Sequence, residues 1–163
     1  SQSGSSPHSF ESVSFIDANI GIIVGGGNTI LKTTNGGINW THQTSWDNRN
    51  LFGISLTDEN KGTAVGTNGT ILRTTDGGIS WFNQTSGITK DLWSVCFTDA
   101  NNGTAVGDFG TILRTTNGGV NWINQTSRTT NRLKGVSFAG GVNVCPSLLE
   151  RPGLRCLQAP SLC

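Results

Sequence analysis

Thr33-Thr34-Asn35-Gly36-Gly37-Ile38-Asn39-Trp40 returns as Thr74-Thr75-Asp76-Gly77-Gly78-Ile79-Ser80-Trp81, and again as Thr115-Thr116-Asn117-Gly118-Gly119-Val120-Asn121-Trp122. The spacing is 41 residues both times. A period of that size marks a repeated supersecondary unit. The chemistry of the octet is that of a tight hairpin. Asn or Asp folds its side chain back onto the backbone, Gly-Gly supplies positive φ, and Trp closes the turn with a large apolar plate.

Working outward, the second unit reads as four strand-like runs: Leu51–Thr57, Gly62–Gly66, Thr70–Thr75 and Ser80–Thr85. Phe52, Ile54 and Leu56 alternate with small or polar residues, the period of a strand. Turn sequences separate the runs, at Asp58 to Gly62, at Thr67-Asn68-Gly69 and at the octet. Four antiparallel strands repeated at this period describe a propeller blade. The expected layout is a flexible leader over 1–9, blades at 10–49, 50–90 and 91–131, a partial fourth blade at 132–145 and a non-repeat tail at 146–163. Leu133 to Phe138 matches Leu92 to Phe97 and is expected to pair as a strand. After Phe138 the repeat stops. The tail carries Pro146, Pro152, Pro160, Cys145, Cys156 and Cys163, and reads as sequence unrelated to the repeat.

Thr74-x-Asp76-x-Gly78-x-Ser80-Trp81 resembles the Asp-box, or BNR, pattern; Asn35 and Asn117 depart from it. The wider unit over 62–81 and 103–122, Val-Gly-x-x-Gly-Thr-Ile-Leu-Arg-Thr-Thr-Asp-Gly-Gly-x-x-Trp with Asn for Asp in the later copy, resembles the photosystem II stability/assembly-factor-like β-propeller family. That resemblance implies an all-β propeller, a role in protein contact, a structural rather than catalytic box, and an extracytoplasmic or secreted origin.

Composition agrees with strands and turns. There are 23 Gly, no Met, no Tyr and 13% charged residues, with a net charge of +1. No basic excess points to a nucleic-acid surface. No apolar run approaches membrane-spanning length, and Ser1 to Ser9 has no apolar core of a signal peptide. Cys96 replaces the Ser14, Ser55 and Ser137 of the other copies and is read as a small buried residue. The tail cysteines fit no zinc spacing.

Enzyme signatures are sparse. Gly25-Gly26-Gly27 precedes a strand rather than a helix and reads as a hairpin turn. A sialidase is excluded because those enzymes use a Tyr nucleophile and the chain has none. His8 lies in the leader, and His42 stands where other blades carry Asn83 and Asn124. Lys32, Arg73 and Arg114 recur in every copy and read as contacts between blades.

Positions that differ between copies are the better candidates for binding. Trp46, Asp47, Arg49, Lys90, Asp91, Asp108 and Arg132 fall in inter-blade loops and hairpins expected at the channel mouth. Arg49, Lys90 and Arg132 are assigned charge recognition and Trp46 stacking. Asp47, Asp91 and Asp108 are assigned any metal or proton chemistry; a divalent metal is the conceivable cofactor and none is evident. The function read from this is a binding or scaffold module for a protein or a small polar or anionic ligand. The alternative is an ester or phosphoester hydrolase, with or without a metal, at the channel mouth or a dimer interface. Three blades leave edges and apolar faces open, so a homodimer is expected to close the ring at seven blades, or six if the partial blade does not join.

Overall fold

The computed structural model describes residues 9–43 and 49–138. Among them twelve strands form three four-stranded antiparallel sheets, each running through its strands in chain order. The first holds β1 (Phe10–Phe15), β2 (Gly21–Gly25), β3 (Ile30–Thr33) and β4 (Thr41–His42). The second holds β5 (Leu51–Leu56), β6 (Gly62–Gly66), β7 (Ile71–Thr74) and β8 (Phe82–Asn83). The third holds β9 (Leu92–Phe97), β10 (Gly103–Gly107), β11 (Ile112–Thr115) and β12 (Ile123–Gln125). Three-residue turns, each with its central residue in the left-handed region, join the second and third strands of each sheet. No helix among these residues is long and apolar enough to cross a membrane.

Two kinds of side-chain turn set the hairpins. Between first and second strands, Asp17 Oδ1 accepts the Asn19 and Ile20 amides at 2.7 Å each. Asp58 Oδ1 does the same for Asn60 and Lys61, and Asp99 Oδ1 for Asn101 and Asn102. In the octet, Thr74 Oγ1 accepts the Gly78 amide at 2.8 Å, while Asp76 Oδ1 accepts the Ser80 amide at 2.9 Å and the Thr74 hydroxyl at 2.8 Å. Asn35 and Asn117 make the same bonds through the same oxygen, to Asn39 and Asn121. Asn therefore replaces Asp without loss, because the turn needs one acceptor and no charge. Gly77 and Gly78 sit at φ +73° and +91°, where a side chain would be strained.

Hydrogen bonds from the chain hold these carboxyls below their ordinary pKa: the Ser80 amide at Asp76, the Ile20 and Asn19 amides at Asp17, and the Asn102 side chain with two amides at Asp99. At Asp58, burial opposes the shift, and the Asn60 and Lys61 bonds outweigh it. A depressed folded pKa stabilises the fold above the unfolded value of about 3.9, and that contribution is lost as pH falls through the folded value. The urea midpoint should thus be level above roughly pH 5 and drop below roughly pH 4. Asp76→Asn should leave the neutral-pH unfolding free energy within about 1 kcal/mol of the parent and flatten the acid limb. An unchanged acid limb would remove Asp76 from that account.

The core lies between sheets. Ile22, Val24 and Ile30 of the first sheet pack with Leu51, Ile54, Leu56, Ala64, Leu72 and Trp81 of the second unit. Val65 and Ile71 pack with Leu92, Val95, Phe97, Ala105 and Leu113 of the third. The first strands of the sheets lie side by side: Ser14 Oγ accepts the Leu56 amide at 3.3 Å and Ser55 Oγ the Phe97 amide at 3.1 Å. The third copy has Cys96 at this position, buried as expected. There Ser94 Oγ accepts the Val136 amide at 3.4 Å, keeping the same offset of 42 residues.

The 133–138 segment corrects one expectation. It docks beside β9 through that bond and at the end of β10 through the Leu133 amide on the Gly107 carbonyl at 2.9 Å, but it belongs to no sheet. A strand needs a ladder partner, and none of the described residues supplies one. Cys145, Cys156, Cys163, Pro146, Pro152 and Pro160 fall outside the described residues.

Two of the three recurring cations bridge sheets. Lys32 Nζ donates to the Gly77 carbonyl at 2.7 Å. Arg73 donates to the Ala100 carbonyl at 3.1 Å and to Thr63 Oγ1 at 3.0 Å, with its guanidinium 5.3 Å from the Phe97 ring centre. Burial lowers the Arg73 pKa, and Asp58 partly restores it. Arg114, in the last sheet, is exposed.

Candidate functional site

The second-to-third-strand turns and the loops leading into the next sheet meet on one face. The Gly27 amide donates to Asn50 Oδ1 and the Asn68 amide to Asp91 Oδ1, each at 2.9 Å. Each loop therefore fixes the neighbouring turn, and the face is built rather than loose. Around the third turn, Asp108 Oδ1 accepts Trp93 Nε1 at 2.9 Å and Arg132 Nε at 2.5 Å. The Arg132 guanidinium lies 4.7 Å from the Trp93 ring centre, and Trp93 in turn stacks on Phe52 with centroids 4.3 Å apart and planes at 10°. Lys90 Nζ stands 5.2 Å from the centre of the Phe109 ring. Arg49 donates to Thr70 Oγ1 at 3.0 Å and walls an open cleft of about 410 Å³ with Asn68, Gln84, Ser86 and Ile88.

Lys90, Asp91, Asp108 and Arg132 are thus brought together around the second and third turns, with Arg49 on the adjoining cleft. Trp46 and Asp47 lie outside the described residues. Asp91 and Asp108 both already accept hydrogen bonds from the chain, so a metal or a proton would compete with those donors. Among the described residues no three His, Cys, Asp or Glu side chains stand close enough to hold a metal ion.

Sequence reading passed over the aromatic members. Phe52 and Trp93 occupy one repeat position whose other occupants are Glu11 and Lys134, and that divergence was the available signal. Phe109 is 65% exposed at φ +55°, a left-handed position filled by Gly27 and Asn68 in the other turns. A bulky residue held there costs about 1–2 kcal/mol, so an exposed Phe kept at that cost is a candidate contact. Phe109→Asn should raise the unfolding free energy from urea denaturation by about 1 kcal/mol while weakening whatever binds this face. Equal stability of the two proteins would show the turn to be unstrained.

No protein-family model matches the chain, and a comparison with curated proteins finds no match. Solved structures do match. YCF48 bound to D1 peptide superposes with a TM-score of 0.66 at 26% identity over 74% of this chain. YCF48 from Cyanidioschyzon merolae gives 0.65 at 26% identity over 75%. The chain is a β-propeller fragment. It spans 41% of the length of each YCF48 structure. An ancestral GH74 enzyme matches with a TM-score of 0.60 at 20% identity, over 75% of this chain and 19% of that one, which shows the fold alone.

Proposed function

We propose that this propeller fragment is a binding module that takes a polypeptide segment on its loop face and works as a ring of two chains. The observation that carries the reading is the likeness to a YCF48 structure holding the D1 peptide. The loop face supports it, with cations at Arg49, Lys90 and Arg132, the exposed Phe109 ring in the third turn, and Arg132 held over Trp93 of β9. Such a set suits a peptide with carboxylate or apolar side chains. The hydrolase reading has only the fold of the GH74 enzyme beside it.

The test is fluorescence anisotropy with a labelled D1 peptide and a scrambled control. Saturable binding of the first, weakened at least tenfold by combined Arg49, Lys90 and Arg132 changes to Ala, is the expected result. Binding untouched by that triple variant would place the site elsewhere. Turnover of ester or phosphoester substrates, abolished by the same variant in folded protein, would replace the module with an enzyme.

A further inference from the structure

The two ends of the described chain are not alike, and each carries what the other lacks. At the first end, Val13 and Phe15 of β1 are 43% and 41% exposed. Their counterparts one and two repeats on, Ile54 with Leu56 and Val95 with Phe97, are 4% exposed or less, because a preceding first strand lies against them. At the other end, the 133–138 segment continues the row of first strands past β9. The same residue offset governs every junction in that row, at Ser14 to Leu56, Ser55 to Phe97 and Ser94 to Val136. The repeat is 41 residues, so each of these bonds joins a position to the one just past its equivalent. At the junction of the second and third sheets the equivalents Phe52 and Trp93 stack face to face.

The same position is Glu11 in the first copy and Lys134 in the fourth, both exposed. Continuing the row with a second copy of the chain would set Lys134 of one molecule beside Glu11 of the next. It would also cover Val13 and Phe15. We propose that the chains join head to tail by this junction, the 133–138 segment of one chain lying against β1 of the other, with the Glu11–Lys134 pair fixing register and polarity. Two such junctions related by a twofold axis close a ring, whereas one alone would leave the same two faces open. The inference rests on the two-chain reading above and adds which surfaces meet.

Burial of the apolar strip drives the association, and the charge pair selects the partner face. Like charges in place of the pair disfavour the junction, and a swapped pair restores it. Both residues are exposed and outside the core, so their exchange leaves each chain folded.

The experiment is sedimentation velocity over a concentration series for the parent protein, Glu11→Lys, Lys134→Glu and the double exchange. A dimeric parent, at least tenfold weaker dimers in each single variant, and recovery in the double variant are expected. A parent that stays monomeric at tens of micromolar overturns the two-chain reading itself. A dimeric parent whose affinity none of the variants alters keeps that reading and overturns this junction. Larger head-to-tail oligomers that respond to the exchange keep the junction and overturn the twofold closure.

Discussion

Trp81→Ala should lower the unfolding free energy by about 3–5 kcal/mol, the usual loss for truncating a buried aromatic. The same change at Trp40 or Trp122 should cost roughly half as much. The three octets are alike in sequence, but their surroundings differ. Trp81 closes the octet of the middle unit, is 4% exposed and belongs to the core with Leu56, Leu72 and Ile22. Trp40 and Trp122 are only partly buried, in edge-to-face contact with Phe15 and Phe97. The Trp122 indole donates to Gln84 Oε1 at 3.3 Å, whereas the buried Trp81 Nε1 has no partner among the described residues. Trp81→Phe should therefore retain most of the stability lost in Trp81→Ala, since it keeps a ring and removes an unpaired donor. Urea denaturation of the four variants gives the comparison. Equal losses at the three tryptophans would mean that the octet, rather than its place between sheets, decides the energy.

Gly66→Ala should be about as damaging, on the order of 3 kcal/mol, with failure to accumulate folded protein as the extreme outcome. The cause is close approach rather than backbone conformation, because Gly66 is extended at φ −167°. A Cβ at Gly66 would fall on the carbonyl oxygen of Asn50, and that carbonyl accepts the Thr67 amide at 3.0 Å. Making room would part β5 from β6 at the bulge between Leu51 and Gly53. Gly25 and Gly107 stand in the same relation to Ser9 and Asp91. Gly87 supplies the contrast. It lies at φ +72° with nothing near its missing side chain, so Gly87→Ala should cost only about 1 kcal/mol of strain. Thermal melts that ranked Gly87→Ala below Gly66→Ala would show the steric account to be wrong.

The turn chemistry that makes the Trp81 octet recognisable is local, which is why the sequence displayed it. Asp17, Asp58 and Asp99 bond to amides two and three residues ahead, and Thr74 and Asp76 to amides four residues ahead. Bonds of that span depend on residue type and order alone, so repetition of the octet was enough to predict three four-stranded sheets. Recurrence in every copy put Lys32, Arg73 and Arg114 between blades, because binding sites usually break symmetry; Lys32 and Arg73 do bridge, while Arg114 in the last sheet is exposed.

The loop face was legible only in part. Divergence between copies pointed to Arg49, Lys90, Asp91, Asp108 and Arg132, but not to how they pair. Asp91 reaches back to Asn68 and Asp108 forward to Arg132, across 23 and 24 residues. Those partners are fixed by how one sheet sits on the next, and no local pattern encodes that. The match of Leu133 to Phe138 with Leu92 to Phe97 suggested a paired strand, and over 133–138 packing gave a docked segment without a ladder instead. By itself the sequence determined the blade, since its turns and alternation act within a few residues. The tertiary structure alone decided which equivalent residues differ in energy. Trp81 is buried where Trp40 is not, and Arg73 is bridged where Arg114 is exposed, because burial depends on having a neighbour on both sides.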